Sequence, residues 1–263
     1  MYMAMKHKVD PLKLMEAAHA YLHQNLALAP DYRVLVAPSR AAAYVLALAA
    51  SMLRIDPLSI NQQVSARQSS PLAVIHDACC QNTSFPKAFT SLLGAYNWNL
   101  GSPMDPMEKH SLTQAVKSNR VAAVLHQPYA YPKLCQHTPL EVISVACHSR
   151  DTEVAVIVDL SNMPVQTLTL LQFITTIKEF FLKGADMVLL PDTELFQGPP
   201  HTCVLIGRSS LMKRVPEHSA LLQLQLGFSL ICTPYDLVGT VVAYKTLQVG
   251  SLKQNSLAAG ARD

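Results

Sequence analysis

Polar side chains that could do chemistry stand at the ends of four apolar stretches of this sequence. In chain order they are Ser39-Arg40, His126, Asp159 and the turn 191–194. Ligands of parallel α/β sheets bind at the carboxyl ends of the strands, so side chains this far apart in sequence could converge on one site. Together they would offer an anion-binding guanidinium, an imidazole, and carboxylates for acid–base work.

Each of these residues also has a purely structural interpretation. Ser39, Arg40 and Ala41 open a predicted helix, whose N–H groups and dipole favour a phosphate, but an ordinary helix cap with a solvated arginine fits equally well. His126 could stack on a ligand ring or hydrogen-bond to it, although a single histidine at a strand end is more often structural. Asp159 either binds a ligand or caps the end of a buried strand.

The elements that would hold these residues alternate along the chain. Strands are predicted at Tyr32–Ala37, Tyr96–Leu100, 121–125, 154–158, 187–190 and, antiparallel to the others, 201–207. Helices are predicted at 10–29, 41–53, 85–93, 110–118, 139–148, 165–183, 209–213 and 234–247, whereas residues 54–83 give no clear assignment. Strands 121–125 and 154–158 are continuously apolar, as expected for strands buried on both faces of a mainly parallel sheet. We therefore predict an α/β fold, a three-layer α/β/α sandwich over residues 1–247, followed by a loose tail at 248–263.

Composition narrows the class of protein. Of the 263 residues, 50% are hydrophobic and 15% are charged, and the net charge is +3, so the chain can bury a sizeable core. Because the chain has no basic cluster, a large nucleic-acid surface is not expected. No apolar run reaches the ~20 residues needed to span a bilayer, and residues 1–11 lack the pattern of a signal peptide. A cytoplasmic location without membrane contact is therefore expected.

The six cysteines show neither a Cys-x-x-Cys pair nor a histidine–cysteine spacing typical of metal sites. We therefore expect no metal and buried, reduced thiols. The adjacent pair Cys79-Cys80 could be redox-active, but no neighbouring residue supports that role.

An ordered set of short motifs resembles one known family. In chain order the motifs are Ser39-Arg40-Ala41-Ala42-Ala43, Val156-Ile157-Val158-Asp159-Leu160, Gly184-Ala185-Asp186, Leu195-Phe196-Gln197-Gly198-Pro199, Ile206-Gly207-Arg208 and Asp236-Leu237-Val238-Gly239. They resemble the fold-type I pyridoxal phosphate (PLP) enzymes of the selenocysteine synthase group (L-seryl-tRNA selenium transferase) and the related D-glucosaminate-6-phosphate ammonia-lyases. The resemblance covers residues 9–247. It implies the large domain of a PLP-dependent transferase, without the segment that precedes it and without the small C-terminal domain.

The resemblance also assigns roles to the residues of the candidate site. Asp159 would pair with the pyridine nitrogen and keep it protonated, which makes the ring an electron sink. Ser39, Arg40 and Ala41 would hold the phosphate, and His126 would contact the ring. In the family a lysine precedes the Leu-Leu-Gly-Gly-Pro turn, but this sequence has Glu194 there, and a carboxylate cannot form an aldimine.

Other departures from the family pattern surround this position. No lysine lies between Lys183 and Lys213, and Gln197 replaces the first glycine of Gly-Gly-Pro, where it could restrict the turn. Glu194 itself is either a relic at the position of the lost lysine or an acid–base group in a remodelled pocket.

Three functions are compatible with this pattern. The favoured one is a noncatalytic binding or regulatory protein that could hold PLP without a Schiff base. The second is an active PLP-dependent transferase or lyase that acts on an amino-acid-derived or sugar-phosphate substrate with a lysine from elsewhere. The third is a subunit that completes a site on a partner chain such as a full-length homologue. The resemblance also implies a homo-oligomer.

Overall fold

The computed structural model describes residues 10–55, 72–79, 84–102, 105–118, 120–130, 137–149, 154–165, 168–213 and 229–260, and the single residues 215, 223 and 227. The strands are β1 (Tyr32–Ala37), β2 (Ala73–Asp77), β3 (Tyr96–Leu100), β4 (Val121–His126), β5 (Ala155–Asp159), β6 (Met187–Leu189) and β7 (Cys203–Arg208). The helices are α1 (Pro11–Asn25), α2 (Arg40–Ile55), α3 (Ser84–Leu92), α4 (Lys109–Ser118), α5 (Leu140–Cys147), α6 (Leu170–Leu182), α7 (Ser209–Met212) and α8 (Pro234–Gly260).

The strands form one seven-stranded sheet in the order β1-β7-β6-β5-β4-β2-β3. Neighbouring strands from β3 to β6 are parallel, whereas β7 is antiparallel to both β6 and β1. The predicted mainly parallel sheet with an antiparallel strand near residue 204 is therefore confirmed.

Helices cover both faces of the sheet, which makes three layers. Alternate strand residues enter two separate apolar clusters: Val156 and Val158 face the cluster built with α1, α5 and α6, whereas Ala155 and Ile157 face the cluster built with α2. Strand side chains alternate between the two faces. The central strands are therefore apolar along their whole length because both faces are buried.

Two elements differ most from the sequence expectation. Strand β2 lies inside region 54–83, which had no clear assignment. It was not predicted because only Ala73-Val74-Ile75 is apolar before the buried polar pair His76 and Asp77. Helix α8 continues to Gly260, well past residue 247, through a stretch rich in good helix formers such as leucine, lysine, glutamine and alanine. Smaller differences concern α1, which ends at Asn25 and not at residue 29, and α6, which begins at Leu170 and not at residue 165.

The cysteines also differ in part from expectation. Cys147, Cys203 and Cys232 are free and buried, as predicted. Cys79 is disulfide-bonded, so the expectation of reduced thiols is wrong for this residue. Cys80 and Cys135 lie outside the described residues. No helix in the described part of the chain has both the length and the apolar character needed to cross a membrane.

Candidate functional site

Asp159 is the last residue of β5, and its carboxylate is held by three donors. The Tyr44 hydroxyl, from the second turn of α2, donates to Oδ2 of Asp159. The Nε2 amide of Gln127, which follows β4, donates to the same oxygen at 2.8 Å. The backbone N–H of Ser161 donates to Oδ1 at 2.9 Å. Asp159 therefore lies at the predicted strand end, but inside a hydrogen-bond network that was not predicted from the sequence.

Burial fixes the direction of the hydrogen bond between Tyr44 and Asp159. The pKa of the Tyr44 hydroxyl is raised well above its usual value, first by burial and then by the neighbouring Asp159 charge. The phenol therefore keeps its proton and acts as a donor at physiological pH. The Asp159 carboxylate is the acceptor of this hydrogen bond, and the Tyr44 hydroxyl is its donor.

Ser39, Arg40 and Ala41 lie at the start of α2, as predicted, and remain partly exposed. The Ser39 Oγ accepts a hydrogen bond from the backbone N–H of Ala42 at 3.1 Å, which makes Ser39 the cap of the helix. The Arg40 guanidinium is not free in solvent. Its Nη2 lies 3.0 Å from Oδ2 of Asp192 in the turn after β6. The structure thus brings Ser39, Arg40 and the turn to one edge of the sheet.

The ion pair between Arg40 and Asp192 is partly enclosed. Burial raises the pKa of the Asp192 carboxyl, and the Arg40 guanidinium lowers it in part. The other oxygen of Asp192, Oδ1, and the Nε of Arg40 are buried and have no hydrogen-bond partner among the described residues. The sequence indicates Asp192 only as part of the turn, because nothing in it shows which carboxylate of Asp192-Thr193-Glu194 faces Arg40.

Glu194 occupies a short 3₁₀ turn, Thr193–Phe196, between β6 and β7. Its side chain is exposed, whereas the flanking Thr193 is fully buried and donates to the carbonyl of Pro199 at 2.9 Å. The turn ends at Gln197, whose φ of 62° lies in the left-handed region that favours glycine. The glutamine at this position is therefore accommodated, at a conformational cost.

The two lysines nearest in sequence lie at the opposite edge of the sheet. Lys183 precedes β6, and its Nζ is 3.4 Å from Oε1 of Glu141. Lys213 follows β7, whose antiparallel direction returns the chain to the edge where β6 begins. The run from Lys183 to the turn is six to eight residues of extended chain, roughly 20 Å.

His126 lies on the other face of the sheet from Asp159. It is the last residue of β4 and stands in register with Val158, which faces the α1, α5 and α6 cluster. Its ring is buried and packs against the His137 ring at a centroid distance of 5.8 Å. Burial and then the His137 charge lower the pKa of His126 to about 3, so the imidazole is neutral. The structure does not bring His126 together with Asp159.

Two members of the network were not predicted from the sequence. Tyr44 is the single hydroxyl-bearing aromatic residue in an otherwise alanine- and leucine-rich run, four residues after Arg40 and so on the same side of α2. Gln127 directly follows His126, at the carboxyl end of β4. Both positions were visible in the sequence, but only the fold shows that they meet.

We tested whether these residues fit PLP, the cofactor that the resemblance implies. Oδ2 of Asp159 already accepts from the Tyr44 hydroxyl and the Gln127 amide, and Oδ1 accepts from the Ser161 N–H. A pyridine nitrogen would therefore have to share Oδ1 with Ser161 or displace one of the donors to Oδ2. Arg40 is engaged by Asp192, and Glu194 stands in the turn. In this arrangement Asp159 and Arg40 are engaged by other protein groups, so they do not hold PLP in the way that the resemblance implies.

Comparison with solved structures identifies the fold. D-Glucosaminate-6-phosphate ammonia-lyase superposes with a TM-score of 0.69 at 15% identity, over 93% of this chain and 60% of that chain. Archaeal O-phosphoseryl-tRNA(Sec) selenium transferase (SepSecS) superposes with a TM-score of 0.62 at 14% identity, over 92% of this chain and 52% of that chain. Oryza sativa TDC, solved with PLP and tryptamine, gives a TM-score of 0.59 at 12% identity, over 90% of this chain and 54% of that chain.

These similarities concern the fold. The chain has the fold of PLP-dependent fold-type I enzymes, as the sequence motifs predict, and it spans 60% of the ammonia-lyase and 52% of the selenium transferase. No protein-family model and no curated protein sequence matches it.

Proposed function

We propose that this chain is a noncatalytic binding or regulatory protein built on the large-domain fold of PLP-dependent enzymes. The observation that carries the proposal is the turn between β6 and β7. The family resemblance gives this turn a lysine, and here it presents the exposed side chain of Glu194. A carboxylate cannot condense with an aldehyde, so this position cannot supply an internal aldimine.

The positions of the other lysines support the same proposal. Lys183 and Lys213 belong to the opposite edge of the sheet, and Lys183 is paired with Glu141. Either lysine would need a rearrangement of a whole strand to reach the carboxyl end of β5. An active PLP-dependent transferase or lyase acting on an amino-acid-derived or sugar-phosphate substrate is the alternative, and it requires a lysine from another chain or another segment.

The remaining parts of the proposal rest on resemblance. The solved Oryza sativa TDC contains PLP, so PLP held without a covalent bond, or another phosphate ligand at Ser39-Arg40-Ala41, is a ligand to test. A homo-oligomer, a full-length homologue as partner and a cytoplasmic location belong to the same proposal.

The decisive experiment is an absorbance scan of the purified chain with added PLP, followed by borohydride reduction and intact mass. We expect no aldimine band and no increment of reduced PLP. The matched variant is Glu194→Lys, which restores the family residue at the turn and reveals whether a lysine there suffices. An adduct on the unmodified chain, located by peptide mapping, would refute the noncatalytic assignment and identify the working lysine.

A second arm addresses the subunit alternative. The tagged chain is co-expressed with a full-length family member, and the complex is reduced with borohydride in the presence of PLP. An adduct that forms only in the complex, on a partner lysine next to this chain, would favour the shared-site function over the regulatory one.

A further inference from the structure

We propose that the Asp159 carboxylate serves as a structural clasp, which ties α2 to the carboxyl ends of β4 and β5 through Tyr44 and Gln127. This group of three side chains is called the Asp159 clasp below. The role differs from the pairing with a pyridine nitrogen that the family resemblance assigns to Asp159. It does not depend on the proposed function, because it concerns what the carboxylate does when no cofactor is involved.

The first argument is the geometry of the clasp. Tyr44 and Asp159 are 115 residues apart in sequence, and Gln127 and Asp159 are 32 apart. The Gln127 Nε2 also lies 3.2 Å from the Tyr44 hydroxyl oxygen, so the three groups form a closed ring of contacts. A single carboxylate therefore joins a helix and two strands that come from three different parts of the chain.

The second argument is burial. The exposed fractions are 1% for Tyr44, 5% for Gln127 and 3% for Asp159. A buried carboxylate is costly unless donors replace the water that it has lost. Three donors reach its two oxygens, and loss of one of them leaves a charged group under-solvated in the interior. The clasp is therefore expected to stabilise the fold strongly.

The third argument is the composition of α2. Residues 42–52 of this helix are all buried, and most of them are alanine, leucine or valine. Apolar side chains alone set the rotation and height of such a helix weakly, and a buried polar contact can specify a unique arrangement. Arg40 and Tyr44 are one turn apart on the same side of α2. Arg40 attaches the helix to Asp192 near the surface, and Tyr44 attaches it to Asp159 inside.

The fourth argument concerns space. The Tyr44 ring belongs to the apolar cluster that also contains Leu125 and Ile157. To free Oδ2 of Asp159 for a ligand, the Tyr44 side chain would have to leave this cluster, which would open a void in a close-packed interior. The clasp thus occupies Oδ2 of Asp159 and supports the core at the same time.

The test is a set of urea unfolding curves on the full chain. Tyr44→Phe removes one hydroxyl and leaves the ring, and we expect its midpoint to fall by about 0.5 to 1 M urea. The matched control is Tyr244→Phe, because Tyr244 is similarly buried but its hydroxyl has no hydrogen-bond partner in the part of the chain that the structure describes. The control should leave the midpoint unchanged or raise it. Equal midpoints for the two variants would overturn the proposal.

A double-mutant cycle separates the clasp from general damage. Asp159→Asn and Tyr44→Phe should each lower the midpoint, and the double variant should lower it by clearly less than the sum. Additive effects would overturn the clasp. If Tyr44→Phe does not fold while Tyr244→Phe does, Gln127→Leu supplies the measurable variant, and a midpoint equal to that of the unmodified chain would overturn the clasp.

A PLP titration monitored by the fluorescence of Trp98 distinguishes failure of the clasp from failure of the proposed function. We expect no saturable quenching that depends on Asp159. Quenching that Asp159→Asn abolishes would overturn the clasp even without a covalent adduct. A borohydride-stable adduct with a normal double-mutant coupling would instead refute the noncatalytic assignment and leave the clasp intact.

Discussion

Lowering the pH from 7 to 5 should destabilise this protein through three histidines that the fold encloses. His19 lies in α1, and burial lowers its pKa to about 4. His76 lies in β2 and His126 at the end of β4, and both side chains are almost fully enclosed. Burial lowers the pKa of His76 to about 4, and burial together with the His137 charge lowers that of His126 to about 3. In the unfolded chain each imidazole takes up a proton near pH 6.5, whereas in the native fold it stays neutral over this range.

The sign and size follow from proton linkage. Between pH 6.5 and 5 the unfolded state binds one more proton than the native state at each histidine, so stability falls as the pH falls. Each pH unit costs about 1.4 kcal/mol per histidine, which gives about 2 kcal/mol for each and about 6 kcal/mol for the three at pH 5. Domains have only about 5–15 kcal/mol in total. Asp192 acts in the opposite direction, because burial raises its pKa.

The assay is urea unfolding at pH 7, 6 and 5, monitored by circular dichroism. The slope of stability against pH should correspond to about three protons in the unchanged chain and about two in His126→Gln. His110→Gln, on the exposed surface of α4, is the matched control and should keep the full slope. A flat profile, or the same slope in His126→Gln as in the control, would refute the reasoning.

Three further predictions concern backbone conformation and helix capping. Gln197→Gly should raise the free energy of unfolding by about 0.5–1 kcal/mol because φ is 62° there, and Gln197→Ala should not; equal denaturation midpoints would contradict this. Gly184→Ala should cost more than about 2 kcal/mol, because its Cβ would lie 1.9 Å from the Ser144 Oγ at a φ of +99°. Gly227→Ala, with φ +71° and no atom of the other described residues within 4 Å of the added Cβ, isolates the conformational cost and should lose only about 1 kcal/mol; equal losses would exclude the steric explanation. Thr169→Ala should cost about 1 kcal/mol in thermal unfolding, because Thr169 forms a capping box with the third residue of α6, and an unchanged melting temperature would show that this cap is dispensable.

The sequence pattern predicted most of the fold because the hydrophobic pattern of the buried strands is unusually clear. Strands such as β4 and β5 are uninterrupted apolar runs, and the helices between them have clear beginnings, as at Asp10 and Pro11 in α1. Strand β2 was missed because two of its five residues, His76 and Asp77, are polar and yet buried. Their burial depends on neighbouring strands, which a local pattern does not contain.

The candidate site was predictable only in part, for a related reason. Position along a strand placed Asp159 and Ser39 at the correct edge of the sheet. Which groups face them depends on contacts between distant segments, such as Tyr44 with Asp159 and Arg40 with Asp192. His126 was predicted at the correct end of its strand but lies on the other face of the sheet from Asp159. Successive strand residues point to opposite faces, so a shift of one residue changes the face.

The pairing of β1 with β7 has a consequence for the order in which the chain can fold. These strands are about 170 residues apart in sequence, whereas the other paired strands are much closer together. Pairing two strands so far apart closes a long loop and carries a corresponding entropic cost. Because β1 pairs with β7, β1 and the start of α2 cannot dock until β7 has left the ribosome. Until then the first strand has no partner, and the outer side of β6 is open as well. A nascent chain halted before residue 203 should thus expose two unpaired strand edges, the condition in which chaperone binding or misassembly is most frequent.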